Sequence, residues 1–126
     1  MTLINGEGRS YLQGTDARSD MVWFVAPDSY AATNAASSGA FVLSESYLYT
    51  TNIIEETLKH LRPNGMMVVQ FGELDYEHAP NRTARYVMTA RKALENLGVQ
   101  DPSRHIIVST QVTHSVGDHS TILVKK

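Results

Sequence analysis

Two spacings alternate along this chain: unbroken apolar runs, and apolar residues every three or four positions. Met21-Val22-Trp23-Phe24-Val25-Ala26, closed by Pro27-Asp28, reads as a strand buried on both faces, as in parallel sheets. The small-residue stretch Ala31 to Gly39 reads as a loop over a site. Ile54, Leu58 and Leu61, with Ile53 beside them, then form a helical stripe. Thr50 to Asn52 supplies cap residues ahead of it, and Asn52 has Glu55 three places on, as in a capping box. Pro63-Asn64-Gly65 stops that helix and turns the chain. Met66 to Phe71 is a second buried strand, ending at Gly72-Glu73. A helix from about Asn81 to Leu97 follows, with Ala84, Val87, Met88, Ala90, Leu94 and Leu97 as its buried face and Gly98 as its stop. Ile106-Ile107-Val108 and Thr121-Ile122-Leu123-Val124 are the last strands. The loop between them, Gln111 to Ser120, is too short for a helical crossover, so as neighbours they pair antiparallel.

The order strand, helix, strand, helix, strand, strand predicts an α/β fold with a mostly parallel sheet, one antiparallel C-terminal strand and helices on both faces. Ligands of open sheets bind beyond the carboxyl ends of the strands, which directs attention to Pro27-Asp28-Ser29-Tyr30 and Gln70-Phe71-Gly72-Glu73.

A length of 126 residues suits one domain with one core, residues 1–126. The net charge of −2, with lysines and arginines scattered, gives no electrostatic footprint for nucleic acid or for an anionic membrane. No apolar run approaches a membrane span, the first residues lack the regions of a signal peptide, and a cytoplasmic location is expected. The absence of cysteine excludes disulfides, thiolate metal sites and a cysteine nucleophile. His114, Asp118 and His119 share a hairpin loop with no regular element to fix them, so no metal site is expected. Gly6-x-Gly8 lacks the third glycine of a dinucleotide fingerprint. Tyr47 and Tyr49 read as packing residues, and Arg82, Arg85 and Arg91 as a solvated helix face.

Five short features stand in a telling order. They are Gly6-Glu7-Gly8-Arg9, the strand Asp20-Met21-Val22-Trp23-Phe24 ending near Asp28, Leu48-Tyr49-Thr50 before a helix, Leu61-Arg62-Pro63-Asn64-Gly65, and a strand ending Val68-Val69-Gln70. This order resembles the spermidine synthase group, the polyamine aminopropyltransferases, built on the S-adenosylmethionine-dependent methyltransferase fold. Residues 39–50, "GAFVLSESYLYT", look closest to its divergent spermidine-synthase-like branch. The likeness covers residues 4 to about 73 by motif and the remainder by element order only.

The resemblance implies a partial Rossmann-like methyltransferase fold, its C-terminal half. The family's donor-binding glycine-rich turn and the acidic residue after its second strand have no counterpart here. The parent would bind S-adenosylmethionine or its decarboxylated form and transfer an aminopropyl or methyl group to a small-molecule amine. This chain alone would hold no cofactor and would be inactive. Gly6, Glu7 and Gly8 would meet the nucleoside, Glu7 through the adenine amino group; read from the residues alone in this isolated chain, they are instead a turn with an exposed acid. Asp28 and Tyr30 would be the catalytic pair, and Asp28, Gln70 and Glu73 would hold the amine; Asp28 can instead cap the turn after Pro27. The family's first loop aspartate, the base, aligns with Val25, which cannot accept a proton. That replacement supports the alternative of a degenerate, non-catalytic half-domain acting as a dimerisation or interaction module. Without its outer neighbour the strand at 21–26 would leave an open apolar edge, so a homodimer is expected.

Overall fold

The computed structural model describes residues 2–25, 46–73, 75–111 and 118–125. Ala31–Gly39, Asp28, Tyr30 and His114 lie outside the described residues, as does the side chain of Tyr47. In chain order the elements are α1 (Gly8–Gly14), β1 (Ser19–Phe24), a 3-10 turn (Ser46–Tyr49), α2 (Thr51–Lys59), β2 (Leu61–Glu73), α3 (Asn81–Asn96), a second 3-10 turn (Pro102–His105), β3 (Ile106–Gln111) and β4 (Asp118–Lys125).

The four strands form one sheet in the order β1-β2-β4-β3. β1 and β2 are parallel, whereas β4 runs antiparallel to both β2 and β3. The domain is therefore α/β with a mixed sheet. Among the described residues only one of its three pairings is parallel, which corrects the expectation of a mostly parallel sheet. The final strand is reversed as expected, and it lies between β2 and β3.

The described helices lie on one face of the sheet. Along β2, Met67, Val69, Phe71 and Glu73 are buried, and along β4 Asp118, Ser120, Ile122 and Val124 are. These side chains share one face and meet Ile53, Ile54 and Leu58 of α2 and Tyr86, Ala90, Ala93 and Leu94 of α3 in a single core, which Leu12 of α1 joins. On the other face, cross-strand neighbours make an apolar rung across the whole sheet: Trp23, Val68, Leu123 and Ile107. Trp23 is 53% and Ile107 64% exposed, and no described helix covers them. The described part of that run, residues 21–25, is accordingly not buried on both faces: Val22 and Phe24 pack on the core while Met21, Trp23 and Val25 stand out.

Local chemistry explains the helix ends. Thr50, not Asn52, caps α2, its hydroxyl accepting from the amide of Ile53; Glu55 instead accepts from the side chain of Asn96 at 2.7 Å, tying α2 to α3. Gly98 ends α3 at φ +86°, a value suited to glycine. The amides of Gly98 and Val99 return to the carbonyls of Glu95 and Leu94, which satisfies the last turn. Asn64 also takes a left-handed conformation, at φ +67°, where β2 bulges and its pairing with β1 jumps from Leu61 to Met66.

Tyr49, Phe71 and Tyr86 form an aromatic cluster, the Phe71 and Tyr86 centroids 5.1 Å apart. The Tyr86 hydroxyl is fully buried and meets no hydrogen-bond partner among the described residues, and burial pushes its ionisation above the ordinary range. A buried hydroxyl without a partner costs stability. Tyr86→Phe is expected to raise unfolding free energy by about 1 kcal/mol, read as a higher urea midpoint at unchanged slope. A fall of that size would mean that the hydroxyl is satisfied by water.

Candidate functional site

Pairing register, more than chain order, assembles the groups at the carboxyl end of β2. Gln70 lies opposite Thr121, which lies opposite Ser109; Gly72 lies opposite His119, which lies opposite Gln111. Because side chains alternate, all of these fall on the face away from the helices. They line a hollow of about 380 Å³, within the size range of small-ligand pockets. The Gln70 amide donates to the Thr121 hydroxyl at 3.3 Å, a long bond that leaves the amide oxygen as a further acceptor. The absence of a side chain at Gly72 opens the middle of the hollow. Its lining offers amides, hydroxyls and one imidazole, and no carboxylate among the described residues. Such a set can hold a polar ligand by hydrogen bonds but supplies no counter-charge for a cation.

Glu73, one residue beyond, faces the opposite way. Its Oε1 accepts from the Thr83 amide at 2.7 Å and from the Thr83 hydroxyl at 2.9 Å. Thr83 is in the first turn of α3, whose own N-cap, Pro80, makes no side-chain cap bond. The carboxylate thus caps α3 from the neighbouring strand, where the positive end of the helix favours an anion. With Thr83's proton given to Glu73, the Ser120 hydroxyl donates to Thr83 across 2.6 Å. Asp118, directly opposite Glu73 in the sheet and also buried, accepts from the Tyr76 amide at 2.8 Å. This carboxylate pair fastens the 75–83 segment to the sheet.

Glu7 is the N-cap of α1. Its carboxylate accepts from the amides of Arg9 and Ser10 and from the Ser10 hydroxyl, at 2.8–3.1 Å. Those backbone bonds hold its ionisation below the usual carboxylate range. The group is exposed and one lone pair of Oε1 remains free, so a ligand donor can still reach it. Gly6 and Gly8 have open space where a Cβ would sit and no left-handed φ, so neither backbone position demands glycine.

The structure therefore gathers Gln70 with Ser109, Gln111, His119 and Thr121, and gives Glu73 and Glu7 capping roles. Val25 lies just past β1, exposed. Compared with protein-family models and with curated proteins, the chain matches none. No group of three or more acidic, histidine or cysteine side chains able to hold a metal occurs among the described residues, and no helix among them is long and apolar enough to cross a membrane. The partners of Gln70 are absent from the sequence reading because they come from β3 and β4, and a one-residue slip in either pairing would turn them to the other face. The alternation Ser109-x-Gln111 and His119-x-Thr121 was the only signal for them.

Proposed function

We propose that this chain is the acceptor-side half of a spermidine-synthase-like transferase of partial Rossmann-like methyltransferase fold, whose donor cradle is supplied by other polypeptide. The parent moves an aminopropyl or methyl group from an S-adenosylmethionine-type donor to an amine. Displacement at a sulfonium carbon requires mainly alignment of nucleophile and leaving group, a task for positioning groups such as Gln70. Asp28 and Tyr30 belong to the same proposal as the groups that meet the amine. Glu73 supports the site from behind, by holding α3 against the strand end.

The observation that carries this reading is the free side of β1. Beyond its pairing with β2, β1 pairs with no described residue, and Met21, Trp23 and Val25 stand exposed beside it. In the resembling family the sheet continues on that side. The face on which Trp23 and Ile107 stand exposed among the described residues adds a second place for the remaining half to pack.

The same edge favours a second reading, a non-catalytic half-domain that dimerises, with Val25 in the position of the expected base. Titration with methylthioadenosine, followed by calorimetry, is the test, with light scattering on the same sample. The first reading expects millimolar or absent binding by this chain, rising to micromolar when a donor-binding half is supplied in trans. A stable dimer that never gains nucleoside affinity supports the second reading. Micromolar binding by the chain alone would remove the premise of both.

A further inference from the structure

The ends of two helices converge on one imidazole. His60 is the C-cap of α2, and its Nδ1 lies 2.9 Å from the carbonyl oxygen of Glu56 in the last turn of that helix. Its Nε2 lies 2.8 Å from the carbonyl oxygen of Thr15, the C-cap of α1. A carbonyl oxygen only accepts, so each contact needs an N–H on the ring. Neutral imidazole carries one N–H and imidazolium carries two. Both contacts are hydrogen bonds only in the protonated ring, which also sits at the negative poles of two helices.

We propose that His60 is a proton-operated latch: protonated it locks α1 to the end of α2, and neutral, with its one proton kept on Nδ1 for the carbonyl of its own helix, it releases α1. The charged surroundings favour the locked form on balance. Glu56 Oε1 lies 3.7 Å from Nδ1, while Lys59 shares that carboxylate from 3.6 Å. Arg18, from the segment between α1 and β1, opposes the charge and itself donates to the Lys59 carbonyl at 2.9 Å. Among the described residues, α1 and β1 add only Tyr11, an uncharged phenol, to the charged and titratable groups around the adjoining hollow. The two backbone bonds, ahead of the Glu56 charge, raise the His60 pKa above its ordinary 6.5.

The sign follows from linkage. A group whose folded pKa is raised contributes stability that is full below the unfolded value and is lost as pH climbs through the folded one. The consequence falls on α1, a seven-residue helix too short to stand alone, whose packing otherwise rests on Leu12. The latch is independent of whether Glu7, at the other end of α1, meets a nucleoside.

The test uses the intact chain. The ring Hε1 resonance of His60 is followed by NMR from pH 5.5 to 9, with protection factors for the Tyr11–Gly14 amides at both ends of the range. A midpoint above 6.5 is expected, together with a fall in α1 protection through that midpoint; each unit of upward shift corresponds to about tenfold. His60→Gln, whose amide can donate to both carbonyls only by distorting, is expected to show the weaker protection already at pH 6 and little further change. Should that variant fail to fold, the wild-type titration and protection decide the matter alone. A midpoint at or below 6.5, or α1 protection constant across it, overturns the latch.

Discussion

Glu73→Ala is expected to lower the unfolding free energy by about 3 kcal/mol, a loss of about 10 °C in Tm for a chain of this size. The buried carboxylate is the acceptor for the Thr83 amide and hydroxyl, and α3 has no cap of its own. Alanine would strand both donors inside the protein and break the chain of hydroxyls that continues to Ser120. Glu73→Gln keeps an acceptor oxygen in place and relieves the proximity to Asp118, so about 1 kcal/mol is expected for it. The ordering of the two variants is the discriminating measurement. Equal losses would show that charge, not the acceptor geometry, holds α3; a neutral Glu73→Ala would dissolve the capping role and return Glu73 to the candidate amine-binding residues.

Glu73 also marks where reading the chain stops being informative. Its place at a strand end is legible from Met66 to Glu73, and a strand-end acid suggests a ligand. Its partner, Thr83, becomes visible only once α3 folds back on the sheet and its first turn is found to lack a cap. Some punctuation, by contrast, was legible because it is local: Gly98 stops α3 through its own φ, and the short connection between β3 and β4 forces an antiparallel pair. The end of α2 was not: it falls at Lys59, and Leu61 to Gly65, expected as helix end and turn, already belong to β2. Layering was not local. A continuous apolar run such as Met21 to Ala26 has the same appearance whether one face or two are covered by its own chain. The exposure of Trp23 and Ile107 is thus a statement about what packs on the sheet, and the half-fold proposal is the reading that gives those side chains a neighbour.

The second large effect concerns which stripe of α3 is inside. Helical spacing alone admits both Met88 and Leu94 to the buried face, yet Met88 is 60% exposed and Leu94 is fully buried. The inward stripe runs instead through Thr83, Tyr86, Ala90, Ala93 and Leu94, because Thr83 must meet Glu73 and Tyr86 packs at a tilt against Phe71. Polar and aromatic residues therefore set the rotation of the helix, and an apolar count along the sequence misplaces it. Leu94→Ala is expected to cost about 3 kcal/mol, the transfer term plus a cavity that the rest of the core, Ile54, Leu58 and Ile122 among its members, cannot fill without moving. Met88→Ala should stay within about 0.5 kcal/mol of the parent, since its side chain is mostly in water already. Urea unfolding of the two variants side by side measures the rotation directly. Comparable losses from both would mean that α3 is turned by about one residue from this packing, and the Glu73–Thr83 bond would then have to be abandoned with it.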